Sequence, residues 1–254
     1  MRYIVVTDLD GTLLDHQTYD FTPALNAIAR LKKQEIPVIF NSSKTQAEIS
    51  QLRDELHNRE PFVCENGGVL CVEDKREYLG VPRSEFLGSL EIIKQQLHLN
   101  YESFAEATVE DVVRWTSLSK ADAIKAMKRE ATEPLLWHDT EGKLDTFRQQ
   151  LQGLKLQCVK GGRFYHVMGT FNKASCFDKL KAYYAQRWQE EIKIVALGDS
   201  QNDLPMLEQA DFAIVIPAHG GNTLKLKRDN VFFATQPAPQ GWQEGISFFL
   251  EKRS

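Results

Sequence analysis

The sequence lacks several features that mark specialised classes of protein. Its four cysteines, Cys64, Cys71, Cys158 and Cys176, include no pair at CxxC spacing. Structural zinc sites and the disulfide frameworks of small secreted domains depend on closely spaced cysteines. Histidine is also scarce, with six residues in 254 and no spacing typical of a metal site. We therefore expect buried, reduced thiols in a cytoplasmic protein.

A basic region and a long apolar run are absent as well. Lys and Arg number 31 against 35 Asp and Glu, which leaves a net charge of −4 at neutral pH. Nucleic acids and membrane surfaces attract clustered positive charge, and a membrane-spanning helix needs about 20 apolar residues. The composition therefore predicts neither a nucleic-acid partner nor a membrane partner. Asp8 interrupts the first apolar segment, which argues against a signal peptide.

Both ends of the chain show alternating strand and helix patterns. Apolar runs that fit strands cover residues 3–6, 36–40, 192–197 and 212–216. Helical spacing follows the first strand from Thr22-Pro23, with Thr22 as the expected N-cap, and a second helix is expected from Lys173 to about residue 187. Continuous apolar strands alternating with helices are typical of a parallel sheet covered on both faces. The pattern predicts an α/β fold with a doubly wound parallel-sheet core.

The middle of the chain has a different pattern, which follows an expected hairpin of residues 69–72 with 77–81. It reads as helix, strand, two short helices, strand, helix and two strands, with Ser119 capping the second short helix. Gly161-Gly162 would join the last two strands as an antiparallel pair. We predict an α+β cap over residues 83–168, inserted between core segments 1–82 and 169–254.

Polar residues follow three of the predicted core strands. Asp8, Ser42 and Asp199 each stand within three positions of a strand end. Because ligands bind beyond the carboxyl ends of parallel strands, these residues are expected to lie together. With Asp10 and Asp203 nearby in sequence, the carboxylates need a cation to offset their repulsion. Oxygen ligands of this kind suit Mg²⁺, and the sequence predicts a magnesium site.

This cluster suits phosphoryl transfer. Asp8 can attack phosphorus to form an aspartyl-phosphate, and Asp10 can protonate the leaving oxygen and later activate water. Ser42 can donate a hydrogen bond to a phosphate oxygen, and a lysine should offset the charge on the phosphoryl group. Lys173 is the expected lysine, with Lys160 as its competitor. Asp-x-Asp is common in loops, and residues 198–203 could form an Asx-rich turn that caps the next helix, but their places at two strand ends favour catalysis.

At these positions the chain resembles the haloacid dehalogenase superfamily. Asp8-Leu9-Asp10-Gly11-Thr12 is similar to the nucleophile motif, Ser42 to the phosphate-binding hydroxyl, Lys173 to the third-motif lysine and residues 198–203 to the acidic metal loop. The resemblance implies that the Asp8 and Asp199 side chains bind Mg²⁺. It also implies that Asp10 binds through its backbone carbonyl and that Asp203 holds a metal-bound water or the Lys173 ammonium.

A narrower resemblance concerns the substrate. The late insertion resembles the branch with a large α+β cap, which includes Cof-type sugar phosphatases. Residues 42–45, 65–68 and 161–166 together resemble mannosyl-3-phosphoglycerate phosphatases. Such enzymes convert a glycosyl-3-phosphoglycerate into a glycosylglycerate, a compatible solute, and phosphate. The resemblance implies a small phosphorylated sugar acid as the partner, and leaves mannosyl or glucosyl, and monomer or dimer, open.

The carboxylate of phosphoglycerate calls for cationic side chains in the site. Arg163 can bind it with two hydrogen bonds from the cap, and Lys44 can approach from the core. Ser43 and Asn202 complete the predicted phosphate- and substrate-binding residues. The alternative for Arg163 is a solvent-exposed hairpin charge. Alternative functions are a sugar-phosphate phosphatase of broader range, a mutase, and a non-enzymatic phospho-acceptor or binding domain.

Overall fold

The computed structural model describes residues 1–218 and 224–253. The strands are β1 (Arg2–Thr7), β2 (Val38–Phe40), β3 (Phe62–Cys64), β4 (Val69–Val72), β5 (Lys75–Tyr78), β6 (Tyr101–Ser103), β7 (Thr132–Trp137), β8 (Leu156–Gly161), β9 (Phe164–Gly169), β10 (Ile192–Gly198), β11 (Phe212–Val215) and β12 (Val231–Phe233). The α-helices are α1 (Leu25–Lys33), α2 (Gln46–Glu55), α3 (Arg83–Gln96), α4 (Val109–Thr116), α5 (Lys120–Ala126), α6 (Glu141–Gly153), α7 (Phe177–Trp188), α8 (Leu204–Gln209) and α9 (Gln240–Arg253).

The core is a five-stranded parallel sheet with the order β12-β11-β10-β1-β2. Both faces are covered, which explains why its strands read as continuous apolar runs. Val5 and its neighbours pack on one face against α1 and α9, where Trp242 is fully buried. Ile4 and Val6 pack on the other face against α7 and α8. The predicted α/β fold with a doubly wound parallel core is confirmed.

The cap is built on a four-stranded antiparallel sheet with the order β6-β7-β9-β8. Its elements follow the predicted order, from α3 through β9. Helices α3 and α6 cover one face, and α4 and α5 form a smaller cluster that includes Phe104 and Phe164. Ser119 caps α5 as predicted by accepting a hydrogen bond from the Asp122 amide. The α+β cap is confirmed, whereas its limits at residues 83 and 168 stay a prediction.

The hairpin before the cap differs from the predicted one. Strand β4 pairs with β5, so that Val69 lies opposite Tyr78 and Val72 opposite Lys75. The prediction of residues 77–81 was wrong because all four residues of β5 are exposed and carry no apolar pattern. Glu73 turns the chain in the left-handed region, with φ 52°, as tight hairpin turns require.

Two predicted helix starts were also wrong. Residues Thr22–Ala24 form a 3₁₀ turn before α1, and the Thr22 hydroxyl donates to Asp20 Oδ1 at 2.6 Å instead of capping a helix. Helix α7 begins at Phe177, four residues after Lys173. Lys173 lies in the preceding turn, where its side chain is free to enter the core.

Two expectations from composition can be compared with the structure. All four cysteines are buried and free, as predicted. Within residues 1–218 and 224–253, every helix is too short or too polar to cross a bilayer.

Candidate active site

The carboxyl ends of β1, β2 and β10 bring the predicted polar residues to one edge of the core sheet. Asp8 directly follows β1, and its amide donates to Leu197 O of β10 at 3.0 Å. Asp199 directly follows β10, and Ser42 lies two residues beyond β2. Carboxylate oxygens of Asp8, Asp199 and Asp203 lie within 4.8 Å of one another. The apolar strand pattern therefore located this cluster correctly from the sequence.

Lys173 lies at the centre of the cluster with a fully buried side chain. Its ammonium donates to Asp8 Oδ1 and to Asp203 Oδ1, each at 2.6 Å. Burial alone would lower the pKa of Lys173, but the Asp203 and Asp8 carboxylates outweigh burial and raise it above its usual value. The turn that carries Lys173 is held by Asn41, whose side-chain amide donates to the Lys173 carbonyl at 2.7 Å.

Asp203 also shapes the loop that follows β10. Its second carboxylate oxygen accepts from the amides of Asp199 and Ser200, both at 3.0 Å. Gly198 permits this arrangement, since a Cβ there would lie 2.4 Å from the Cβ of Asp203. The loop is thus a self-capped turn, which is the alternative that the sequence offered for residues 198–203. It also presents Asp199 to the cluster.

The cluster has the charge and ligands to hold a divalent cation. When all three are ionised, Asp8, Asp199 and Asp203 carry three negative charges against the one positive charge of Lys173. Burial, followed by repulsion from Asp203, raises the pKa of Asp199 to about 7. Burial likewise raises the pKa of Asp8 well above its usual value, although Lys173 opposes it. An oxygen-rich site with two uncompensated charges fits a metal such as Mg²⁺.

One glycine leaves room beside this cluster. Gly11 has φ +79°, and a Cβ there would lie 2.8 Å from Asp199 Oδ2. The other oxygen of Asp199 accepts from the Thr12 hydroxyl at 3.0 Å. Thr12 is therefore a site residue within the nucleophile motif that sequence reasoning did not single out.

Asp10 points away from the three clustered carboxylates. Its Oδ2 lies 3.0 Å from the Lys44 ammonium, and its Oδ1 is buried without a partner among the described residues. Burial lowers the pKa of Lys44, but the charges of Asp10 and Glu48 and the hydrogen bond to Asp10 together outweigh it, so that the net shift is upward. Asp10 thus has one paired and one unpaired oxygen, an arrangement that allows proton exchange with a leaving group.

Three other predicted phosphate- and substrate-binding residues lie in the loops that follow β2 and β10. Ser42 is buried, and its hydroxyl accepts from the Lys44 amide at 3.3 Å. The carbonyl of Ser43 accepts from the Arg129 guanidinium at 3.3 Å. Asn202 donates from its side-chain amide to Asn66 Oδ1 at 3.1 Å. The Ser43 contact joins the loop after β2 to the cap, and the Asn202 contact joins the loop after β10 to the turn after β3.

Arg163 lies on the cap and donates to other groups of the cap. Its guanidinium donates to the carbonyls of Trp115 at 2.6 Å and Thr116 at 3.4 Å. These carbonyls belong to the end of α4, where the last carbonyls of a helix have no intrahelical partner. The structure does not bring Arg163 into contact with the carboxylate cluster. A role for Arg163 in substrate binding stays a prediction.

Sequence reasoning missed Glu65, which connects core and cap. Its side chain is buried and accepts from the amides of Glu130 at 2.7 Å and Ala131 at 3.1 Å. It also accepts from the amide and hydroxyl of Thr132, at 2.8 and 2.7 Å. An acidic residue directly after the buried strand β3 was the available signal, because it matches the position of Asp8 after β1. Its partners in the cap carry no signal in the sequence.

Gly67 provides a test of how tightly this region is packed. Its φ is +97°, and a Cβ would lie 2.0 Å from the Asn172 carbonyl oxygen. We expect Gly67→Ala to lower the free energy of unfolding by about 3 kcal/mol or more, because backbone strain adds to overpacking. Gly162→Ala is the matched control, since φ is +55° there but the space is open. Its expected loss is about 1 kcal/mol, and equal losses in urea unfolding would refute the packing argument.

Comparison with known proteins identifies the relatives of this chain. The family model of haloacid dehalogenase-like hydrolases matches residues 5–232. A haloacid dehalogenase-like hydrolase from Bacteroides thetaiotaomicron superposes with a TM-score of 0.71 at 18% identity, with 100% of both chains covered.

Two further solved structures share the fold. BT1666 of Bacteroides thetaiotaomicron, from a study of phosphatases of the haloalkanoate superfamily, gives a TM-score of 0.72 at 18% identity, covering 98% of this chain and 95% of its own. BT4131, a HAD subclass IIB sugar phosphatase, gives 0.69 at 15% identity, covering 99% of each chain. At these identities the superpositions establish a common fold.

Proposed function

Because this chain belongs to the haloacid dehalogenase-like hydrolase family, we propose that it is a cytoplasmic, Mg²⁺-dependent phosphatase. Its proposed substrate is a mannosyl- or glucosyl-3-phosphoglycerate, and its products are the glycosylglycerate and phosphate. The observation that carries the proposal is the buried Lys173 ammonium, which binds both Asp8 and Asp203 at 2.6 Å. A lysine in this position offsets charge at the nucleophile and at an incoming phosphoryl group.

The proposed reaction has two steps. A carboxylate oxygen of Asp8 attacks phosphorus, the bond from phosphorus to the leaving oxygen breaks, and Asp10 gives that oxygen a proton. Asp10 then takes a proton from water as the water attacks the aspartyl-phosphate. The bond from phosphorus to Asp8 breaks, which returns the carboxylate and releases phosphate. The unpaired, buried Oδ1 of Asp10 supports its place in this proton transfer.

The metal and the phosphate are proposed to use separate residues. When bound, Mg²⁺ supplies positive charge that reduces repulsion between the Asp8 carboxylate and the phosphate ester. The side chains of Asp8 and Asp199 and the carbonyl of Asp10 are proposed to hold it. Asp203 is proposed to act indirectly, by hydrogen bonds that hold the Lys173 ammonium and the turn that carries Asp199.

The substrate assignment rests on the resemblance of residues 42–45, 65–68 and 161–166 to mannosyl-3-phosphoglycerate phosphatases. Ser42, Ser43 and Lys44 are proposed to bind the phosphate, with Asn202 beside them. The buried Ser42 and the pairing of Lys44 with Asp10 support this proposal. Arg163 is the cation that we proposed for the substrate carboxylate from the sequence alone. A sugar-phosphate phosphatase of broader range is the second candidate, favoured by the fold shared with the sugar phosphatase BT4131.

A panel of phosphate esters tests the proposed function. With Mg²⁺, we expect inorganic phosphate to appear in the same amount as substrate disappears. We expect kcat/KM for mannosyl- or glucosyl-3-phosphoglycerate to exceed that for simple hexose phosphates by about 100-fold or more, since one site would bind both charged groups. Chelation with EDTA should abolish the activity, and added Mg²⁺ should restore it.

The same panel separates the alternatives. Similar kcat/KM values for many sugar phosphates would favour the broader-range enzyme. Substrate loss without release of phosphate would favour a mutase. Activity that survives complete chelation would contradict the metal-dependent mechanism.

A further inference from the structure

One face of the cap sheet is turned toward the active site. In β9, Tyr165 and Val167 pack into the cluster under α3 and α6. Because side chains alternate along a strand, His166 and Met168 lie on the opposite face. Met168 packs into the hydrophobic cluster of the core domain, which fixes the direction of that face. His166 therefore lies on the side of the cap that covers the core.

A cavity lies on this same face of the cap. Its volume is about 290 Å³, and its lining includes Val159 and Met168 of the cap with Lys173 and Asn202 of the core. Val159 is the cross-strand partner of His166. His166 is thus the cross-strand neighbour of a residue that lines a cavity extending from the cap sheet to the turn that carries Lys173.

Arg129 approaches the active site from the turn between α5 and β7. Its side chain is 8% exposed, and Nη1 donates to the Thr132 hydroxyl at 2.8 Å and to the Ser43 carbonyl at 3.3 Å. The next residue after Ser43 is Lys44, which pairs with Asp10. The guanidinium of Arg129 therefore contacts the loop that is proposed to bind phosphate, from the side of the cap.

Both side chains keep a buried nitrogen without a partner. Arg129 Nε and His166 Nδ1 are inaccessible to solvent and have no hydrogen bond among the described residues. A buried polar group without a partner is unfavourable, because its hydrogen bonds to water are lost and not replaced. The charge of Arg129 also acts on His166, since burial and then Arg129 lower the pKa of His166 to about 3. The imidazole is therefore neutral near pH 7.

The nearest carboxylate does not satisfy Arg129. Glu65 Oε2 is 4.0 Å from Arg129 Nη1, beyond hydrogen-bond distance. Both oxygens of Glu65 already accept from amides and a hydroxyl of residues 130–132. Arg129 thus keeps both charge and donor capacity for another acceptor.

We propose that Arg129 and His166 form a subsite that binds a carboxylate on the leaving group of the substrate. This inference rests on the proposed phosphatase function and adds to it the residues that select the substrate. Arg129 supplies the positive charge and N–H donors, and the neutral His166 ring supplies one further hydrogen bond. The subsite lies inside the contact between cap and core, whereas Arg163 donates to carbonyls at the end of α4.

Two inhibitors that differ at one group test the subsite. They are 3-phosphoglycerate, which has a carboxylate, and glycerol 3-phosphate, which has a hydroxymethyl group in its place. Each is measured as an inhibitor of p-nitrophenyl phosphate hydrolysis with Mg²⁺. We expect the wild-type inhibition constant to be about tenfold lower for 3-phosphoglycerate, the value of one charged hydrogen bond. Equal constants for the two inhibitors would overturn the proposal.

Variants then assign the effect to residues. Arg129→Met should raise the inhibition constant of 3-phosphoglycerate by about tenfold and leave that of glycerol 3-phosphate within about twofold. His166→Phe should shift the same inhibitor in the same direction by a smaller factor. Arg114→Met is the matched control, because Arg114 is an exposed cap arginine paired with Asp111. Equal changes for both inhibitors, or the same change in the control, would refute the subsite.

Two further measurements keep the result interpretable. Arg129→Lys retains the charge without the planar donor group, so its inhibition constant for 3-phosphoglycerate should lie between those of the wild type and Arg129→Met. If thermal unfolding shows that Arg129→Met is unfolded, Arg129→Lys takes its place in the comparison. Arg163→Ala should change the inhibition constant of 3-phosphoglycerate less than Arg129→Met does, and a larger change would assign the carboxylate to Arg163 instead.

A wild-type protein that releases no phosphate would contradict the proposed function. The subsite would still be supported if 3-phosphoglycerate raised the Tm of the wild type more than glycerol 3-phosphate does and Arg129→Met lost this difference. Equal increases in the Tm of the wild type would refute the subsite.

Discussion

Asp8→Asn should lower kcat by about 10⁴-fold or more, because an amide oxygen is too weak a nucleophile to form the phosphoenzyme. The fold should persist, since the amide oxygen of Asn can still accept the hydrogen bond from Lys173, which Asp8 Oδ1 accepts at 2.6 Å. The substitution also removes an ionisable group from a cluster in which burial, and then repulsion from Asp203 and Asp199, raise the pKa of Asp8. We therefore expect the metal-free variant to be at least as stable as the wild type.

Steady-state hydrolysis of p-nitrophenyl phosphate and thermal unfolding check this expectation together. Asp145→Asn is the control, because Asp145 is an exposed cap carboxylate paired with Arg148. It should leave kcat unchanged. Near-normal turnover in Asp8→Asn, with Mg²⁺ present, would exclude a covalent intermediate on Asp8 and with it the proposed reaction.

Lys173→Met should reduce both activity and stability. Without the ammonium, Asp8 and Asp203 would be buried without their positive partner, which typically costs about 3–5 kcal/mol. We expect kcat/KM to fall by about 10³-fold, by analogy with the loss of one charge-stabilising donor in a closed site. Lys120→Met is the control, since Lys120 forms an exposed ion pair with Glu110.

The loss of stability in Lys173→Met should depend on pH and metal. The pKa of Asp199 is raised to about 7 in the folded protein. Stability from this group is therefore present below its unfolded pKa of about 4 and is lost as pH rises toward 7. Metal-free Lys173→Met should lose stability more steeply than the wild type over this range, and Mg²⁺ should reduce the difference. Urea unfolding at several pH values measures this, and parallel pH curves would contradict the charge balance described here.

Local sequence patterns were sufficient for the core of the site. Asp8 and Asp199 follow apolar runs, and parallel topology places the ends of such runs at one edge. Lys173 was preferred to Lys160 for its expected place at a helix start; that helix begins at Phe177 instead, and the structure places Lys173 between Asp8 and Asp203. The α/β core and the α+β cap were predicted because buried strands and amphipathic helices differ in periodicity.

Local sequence patterns could not predict contacts between segments that are distant in the chain. Arg129 meets Ser43, and Glu65 meets Thr132, across the contact between core and cap. Neither pair has a signal in sequence spacing, because cap docking is set by long-range packing. Strand β5 was misplaced for the opposite reason, since its exposed residues have no apolar alternation to detect.

The turn after β3 has a consequence for how this protein can change through mutation. Glu65 binds the cap, Asn66 binds Asn202 in the loop after β10, and Gly67 packs on the chain just before Lys173. These three adjacent residues thus help to fix the position of the cap on the core, the shape of the loop after β10 and the position of Lys173. A substitution in this turn would alter substrate preference and catalytic rate together. Changes of specificity alone are therefore more accessible through residues on the core-facing side of the cap sheet, such as His166, which lie outside this turn.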